Sequence, residues 1–274
     1  MADVKKIATR QGYGEALREL GAVHDNIVVF DADLAGSTQT AMFGKAFPDR
    51  HFNCGIAEGN MMAAAAGAAA MGMVAYASSF AMFAAGRAYE QVRNSIGYTG
   101  LNVKIGASHG GISVGEDGAS HQCLEDFTLM RSIPGMVVMA PADAVEAKAM
   151  VKAAYEHQGP VYMRFGRSPV PVFHDEAGFR FEIGRGEVMR EGTDIAIIAN
   201  GLLVAEAVEA GKLLADRGLS ARIINMATIK PLDEELVLKA AEECGKIVTC
   251  EEHSVIGGLG EAVCSLLSEK RATP

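Results

Sequence analysis

The stretch FNCGIAEGNMMAAAAGAAAMGM, residues 52–73, carries one carboxylate, Glu58, at the head of an apolar run of helical character. A first-turn glutamate is ordinarily explained by the positive end of its helix. Here the neighbours are alanine, glycine and methionine, which solvate a charge poorly and let another backbone approach closely. Burial favours the neutral form of a carboxyl. Glu58 is therefore expected to suit a hydrogen bond to, or proton exchange with, a buried nitrogen base. A second concentration of reactive groups is SHGGISVGEDGASHQ, residues 108–122, which gathers His109, Glu116, Asp117 and His121 among glycines directly after a predicted strand. In α/β sheets ligands bind beyond the carboxyl ends of strands. Two histidines and an aspartate offer the donors, acceptors and proton shuttle that a polyhydroxy substrate needs. An idle surface loop is the plain alternative. The two histidines lack a firm third ligand, so no metal site is assigned.

Two further features are weaker alone. In SSFAMF, residues 78–83, Phe80 and Phe83 share a face if the segment is helical, and core packing explains such a pair equally well. Arg10, Arg164 and Arg167 are candidate anion anchors, although a lone arginine is more often a surface charge. No Walker loop and no GxGxxG opens a helix after a strand. A GDG followed at a distance by Asn, which would hold a metal-bound diphosphate, is missing too.

The elements that must position these residues alternate. IVVFDAD, NVKIGAS, MVVMAP and VYMRF read as buried strands, with helical patterns in YGEALRELGAVH, FAAGRAYEQVRNSIG and DAVEAKAMVKAAYEH between them. Asp143 with Glu146 three residues on is an Asp version of the capping box. Such alternation predicts an α/β fold, a parallel sheet covered by helices. The pattern breaks at RSPVPVFHDEAGF, residues 167–179, and FEIGRGEVMREG then reads as a hairpin. A second series follows, with strands DIAIIAN, ARIINM and KIVTCEE and helices GLLVAEAVEAGKLLADRG and DEELVLKAAEEC. The expected division is a first domain over 1–170, a linker over 171–185 and a smaller domain over 186–274.

Composition bounds the function. The 274 residues suffice for two cores, and the formal charge of −9 with no basic tract argues against a nucleic-acid partner. MADVKKIATR lacks the apolar core of a signal peptide, and the alanine run is too Gly-rich and too closely followed by polar YASS to be a membrane span. Five scattered cysteines fit reduced thiols in a cytoplasmic protein.

Taken together, IAEGNM, SSFAMF, GEDGASHQ and MAPADAVEA resemble, in order, the C-terminal half of a transketolase, in the split form where two subunits replace one long chain. The resemblance implies a pyrimidine-binding domain followed by a C-terminal transketolase domain that usually continues past residue 274. It makes Glu58 the residue that hydrogen-bonds the aminopyrimidine of thiamine diphosphate and activates it. Phe80 and Phe83 become the stacking wall, thinner where Gly86 replaces a tyrosine frequent in the family, and Asp33 an interface aspartate near the cofactor. His109, Asp117 and His121 are implied to meet the sugar, with Glu58, His109 and His121 catalytic. Arg10, Ser37 and Arg167, with His109 beside them, are implied to hold the substrate phosphate. Mg²⁺ (or Ca²⁺) and the diphosphate would be held by an N-terminal transketolase subunit, with this chain dimeric inside a heterotetramer. The implied reaction moves a ketol unit between sugar phosphates of the pentose phosphate pathway. The β subunit of a 2-oxoacid dehydrogenase shares the glutamate but should lack GEDGxxHQ and the arginines. Deoxyxylulose-phosphate synthase carries a GEDG-like loop, and the His109-Gly110-Gly111 start separates the chain from it. A non-catalytic paralogue would have no need to retain Glu58, His109 and His121 together.

Overall fold

The computed structural model describes residues 5–273; the first four residues of MADVKKIATR, and Pro274, lie outside that range. In chain order, β1 (Lys6–Ala8), α1 (Thr9–Val23) and β2 (Ile27–Asp31) are followed by the short helices α2 (Ala35–Thr38) and α3 (Ala41–Ala46). Next come β3 (His51–Asn53), α4 (Glu58–Ala70) and β4 (Val74–Phe80). Two π-helical turns, Met82–Arg87 and Val92–Gly97, flank α5 (Tyr89–Gln91) and lead to β5 (Val103–Ser108). Then follow α6 (Asp126–Arg131), β6 (Val137–Met139), α7 (Ala144–Glu156), β7 (Val161–Phe165) and β8 (Pro169–Pro171). The remainder is β9 (Glu187–Arg190), β10 (Ile195–Ala199), α8 (Leu203–Ala215), β11 (Ala221–Asn225), β12 (Thr228–Lys230), α9 (Glu234–Cys244), β13 (Ile247–Cys250) and α10 (Leu259–Lys270).

The main sheet has seven strands in the order β12-β6-β7-β5-β4-β2-β3, all parallel except β12 at its edge. Its strands are buried on both faces, which is why they read as near-continuous apolar runs. Ile27, Val29, Val74 and Tyr76 pack with α1, α3 and α7, while Val28, Phe30, Ala75 and Ala77 pack with α4 and α6. The alternation is the period of two of a strand. The alanine run forms α4, whose Met61, Met62, Ala65, Ala66 and Ala69 lie against the sheet. A second, smaller sheet, β13-β10-β11-β9, carries α9 and α10 on one face and α8 on the other. The expected α/β class, with a parallel sheet and a smaller C-terminal domain, is what the chain forms. Among the described residues no helix is long and apolar enough to cross a membrane.

Three local expectations are corrected. SSFAMF is not one helix: Phe80 ends β4, a central strand, and only the residues after it are helical, with Phe83 in the first π turn. FEIGRGEVMREG is not a hairpin, since only Glu187–Arg190 is extended and it pairs with β11. Gly184 (φ +85°) donates its N–H to Thr228 Oγ1 at 3.1 Å and Gly186 donates to Asp233 Oδ2 at 3.0 Å, so the chain turns toward α9 instead of back on itself. Finally, β12 leaves the C-terminal series to pair antiparallel with β6, Thr228 opposite Met139, so the two series share one sheet.

The capping box forms, with a variation. Asp143 Oδ1 accepts the Glu146 N–H at 2.8 Å, but Glu146 reaches back to the Ala142 N–H at 2.6 Å. Glu146 also accepts from Asn225 of β11 at 2.9 and 3.0 Å, and burial raises its pKa to about 7. The other Asp143 oxygen accepts from the Phe173 and His174 amides and stands 3.0 Å from His174 Nδ1, while His174 Nε2 is 2.8 Å from Glu187 Oε2. One helix cap thus becomes a joint between the two halves. Burial alone would lower the His174 pKa, but the bonds to Asp143 and Glu187 outweigh it and raise it to about 10. The charged imidazole therefore stabilises the fold fully below its unfolded pKa of ~6.5. That contribution is lost as pH rises through about 10. His174→Gln should lower stability by roughly 1.5–3 kcal/mol near pH 6. Thermal melts of the two proteins should converge toward pH 10. A gap that stays flat over this range would show that the imidazole carries no charge in the joint.

Candidate active site

Three parallel strands deliver their carboxyl ends to one place. Phe80 is the last residue of β4, His109 follows β5 directly, and Arg167 lies just past β7. His109 takes φ +60°, a left-handed conformation uncommon outside glycine and a frequent mark of functional positions. It is buried, its ring stacks on Phe80 at 3.9 Å, and its Nδ1 is 2.9 Å from Ser108 Oγ. Burial first, and the Arg10 guanidinium second, lower its pKa to about 4. The imidazole is therefore neutral near pH 7 and acts as a donor or acceptor, not as a cation. Phe80 and Phe83 stack at 5.9 Å between centroids, and His121 meets them edge-on at 5.9 and 5.2 Å. Both phenylalanines and both histidines singled out in the sequence thus share one aromatic cluster.

The glycines around His109 answer to close neighbours. A Cβ on Gly110 would lie 2.0 Å from Arg164 Nε, and one on Gly111 (φ +88°) would lie 2.7 Å from the Glu252 side chain. The loop closes on itself where Gly111 and Cys123 exchange backbone hydrogen bonds of 2.9 and 3.2 Å. It is held to the C-terminal half where Ser113 donates its N–H to Glu252 Oε1 at 3.0 Å. Glu252 was not singled out in the sequence. Its position at the end of KIVTCEE, just past β13 and so at another carboxyl end, was the available signal. Arg164 is not an anion anchor: its side chain is buried and already committed inside the protein. Its Nε is 3.1 Å from Asp126 Oδ2, and its Nη2 donates to the Cys123 and Glu252 carbonyls at 2.8 Å each.

Beside the aromatic cluster lies a charged one. Arg10 Nη1 donates to the Ser37 carbonyl at 2.7 Å. Burial, and then the nearby Arg167, push Arg10 below its usual pKa, while Asp117 opposes them. Arg167 is paired with Glu116 and stands 3.7 Å from Asp117. The structure thus brings Arg10, Ser37, Asp117 and Arg167 around His109. Asp33 stays apart. It occupies a left-handed turn after β2 (φ +63°) and exchanges bonds of 3.2 and 3.1 Å with Asn53, with no hydrogen bond to the cluster among the described residues.

Glu58 opens α4 without a side-chain cap, and its side chain is 1% exposed. The expectation of a carboxyl facing only small apolar groups is corrected by Arg87. That side chain, which no sequence motif marks, donates from Nη1 to both Glu58 oxygens at 3.0 and 3.2 Å. Its guanidinium also lies 4.4 Å from the Phe83 ring centre, which joins Glu58 to the aromatic cluster. Flat walls at Phe80 and Phe83 beside a buried carboxylate suit a heteroaromatic ring with a nitrogen edge. The histidines with Asp117 suit hydroxyls, and Arg10 with Arg167 suit an anion. Among the described residues no three His, Cys, Asp or Glu side chains are grouped to hold a metal ion.

Residues 5–172 match the family described as transketolase, pyrimidine binding domain, and residues 184–273 match the transketolase C-terminal domain. The chain is 52% identical to a protein of Methanocaldococcus jannaschii that bears the description transketolase C-terminal section, over 94% of this chain and 81% of that one. It is 42% identical to the 6-deoxy-6-sulfo-D-fructose transketolase subunit SqwH of a Clostridium species, over 97% and 82%. Among solved structures it superposes, with a TM-score of 0.91 and 54% identity, on a split-gene transketolase described as an inactive β4 tetramer. That match covers 98% of this chain and 86% of the other.

A hydrogen bond to a carboxylate is worth roughly 1.5–3 kcal/mol. Glu252→Ala should therefore speed hydrogen exchange at the Ser113 amide by about ten- to a hundredfold, while β4 and β5 keep their protection. Unchanged exchange at Ser113 would show that the loop holds its shape without the C-terminal half.

Proposed function

This chain belongs to the transketolase family, as a C-terminal section of the split-gene kind, and from that membership we propose that it is one half of a two-chain enzyme. That enzyme moves a two-carbon ketol unit from a ketose phosphate to an aldose phosphate in the cytoplasm. The observation that carries this reading is the continuity of two sites, the Phe80–Phe83 wall with buried Glu58 and the histidine–aspartate–arginine cluster stacked against it. Thiamine diphosphate, when bound, supplies an electron sink for the carbanion left when a carbon–carbon bond breaks.

The chain's own residues then have distinct tasks. Glu58 hydrogen-bonds the ring nitrogen of the aminopyrimidine and shares a proton with it, while Phe80 and Phe83 hold the ring flat. Asp33 is proposed near the cofactor at the subunit interface. His121 and neutral His109 contact the reacting oxygens and carry protons. Asp117 orients a substrate hydroxyl, and Arg10, Arg167 and the Ser37 segment grip the terminal phosphate. Mg²⁺ (or Ca²⁺) and the diphosphate are assigned to an N-terminal-type partner subunit, with two copies of this chain in a heterotetramer.

The test is reconstitution with that partner, Mg²⁺ and thiamine diphosphate, assayed with xylulose 5-phosphate plus ribose 5-phosphate and, separately, with pyruvate. Faster turnover of pyruvate would replace the reading with an oxoacid-type enzyme, and turnover by the single chain would remove the partner. In the pair, Glu58→Gln should cost ~10²–10⁴ in rate with the fold intact; activity within a few-fold of wild type would make it only a first-turn glutamate. Arg167→Ala should raise KM for phosphorylated sugars about ten- to a hundredfold with kcat nearly unchanged, the mark of lost uniform binding. His121→Ala should instead lower kcat. A common effect of the two on KM alone would take His121 out of the chemistry.

A further inference from the structure

Among the described residues the only hydrogen bonds to the Glu58 carboxylate come from Arg87, and the two residues differ sharply in setting. Arg87 is 53% exposed and ends a π turn, whereas the Glu58 side chain is 1% exposed. The guanidinium is flat and delocalised, carries N–H groups on its edge, and rests on the Phe83 ring at 4.4 Å. Those are the two interactions, a nitrogen edge on Glu58 and a flat face on Phe83, that the proposed function gives to the aminopyrimidine.

We propose that Arg87 is a placeholder, occupying Glu58 and Phe83 in the cofactor-free chain and swinging into solvent when an aminopyrimidine takes them. The inference rests on the roles of Glu58 and Phe83 proposed above. Four considerations support it. A buried carboxylate left with no partner is strongly destabilising, so the empty site needs a cation. A guanidinium partner favours the ionised carboxylate, whereas sharing a proton with a ring nitrogen needs the proton to be there. Arg87 therefore cannot remain paired while Glu58 does that work. Its exit is also open, because among the described residues no hydrogen bond other than those to Glu58 holds the side chain, and half of it already faces water. The π turn that presents it is a local irregularity of the kind that recurs at functional sites.

The cofactor then binds against a competing internal ligand, and neutralising that ligand should tighten binding. An ion pair with one exposed partner suggests a gain of roughly two- to fivefold. The experiment is titration calorimetry of the reconstituted, Mg²⁺-loaded pair, with thiamine diphosphate and with an analogue that carries carbon in place of the ring nitrogen facing Glu58. Wild type, Arg87→Gln and Arg87→Lys are compared, and Arg87→Met, which keeps an apolar stem over Phe83, stands in if the glutamine variant fails to assemble. Arg87→Gln should bind thiamine diphosphate about two- to fivefold tighter, with a smaller gain for the analogue and a lower melting temperature without cofactor. Arg87→Lys, which keeps the charge, should stay close to wild type. Weaker or unchanged binding by Arg87→Gln overturns the placeholder and makes Arg87 a partner of the bound state or a bystander. Failure of wild type and every variant alike to bind thiamine diphosphate is a different result: it overturns the cofactor reading, and the placeholder with it.

Discussion

The architecture depends on one buried guanidinium. Arg164 projects from β7 into the seam between the main sheet, the loop after β5 and the C-terminal half. It meets the Asp126 carboxylate, the Cys123 carbonyl and the Glu252 carbonyl, and lies 4.4 Å from the Phe127 ring centre. Tyr162 donates to the same Asp126 oxygen at 2.9 Å, and the buried His253 side chain stacks on Phe127. A charge taken this far from water is tolerable only with several good partners. With β7 itself, those partners bring three parts of the chain together, so the groups can be satisfied only when all three are assembled. Gly110 has no room for a side chain because Arg164 occupies it, and His109 takes its unusual backbone angle one residue before.

The same economy appears at the second joint. Asp143 caps α7, and its remaining oxygen binds the segment after β8 through two amides and His174. With β12 added to the edge of the first sheet, the two halves are tied by a helix cap, a strand and a buried ion cluster. Such a seam adds a shared sheet to the mostly polar contacts common between domains of one chain. That suits a site whose loop is shaped from both sides. Among the described residues the C-terminal half supplies Glu252 to the loop and none to the aromatic cluster, so its contribution is geometry.

Glu58 shows how such a site is kept ready. Its helix is packed through alanines that bring α4 close to the sheet, which buries the carboxylate at the helix head. Burial gives the group its chemical value and also its instability when nothing is bound. Arg87 offsets the second from a half-exposed position.

The sequence by itself determined the two αβ series, most strands of both cores, the head of α4 and the reactive loop after β5. Each of these is written in local periodicity, capping chemistry or a motif of adjacent residues. It also marked Glu58, Phe80, Phe83, His109 and His121, because the motifs that carry them are short and continuous. Strand β4 was hidden, because two buried serines in YASSF break the apolar pattern, and the environment that accepts them is built by neighbours distant in sequence. Tyr13, whose hydroxyl is 2.6 Å from Ser78 Oγ, is one such neighbour. Arg164 and Arg167, three residues apart, are indistinguishable as text; only the folded chain turns one inward to Asp126 and leaves the other with the acidic loop. Arg87 and Glu252 were invisible for the same reason. Their partners lie 29 and 139 residues away, and a charge acquires a role only when tertiary packing sets what faces it across a few ångströms of low-dielectric space.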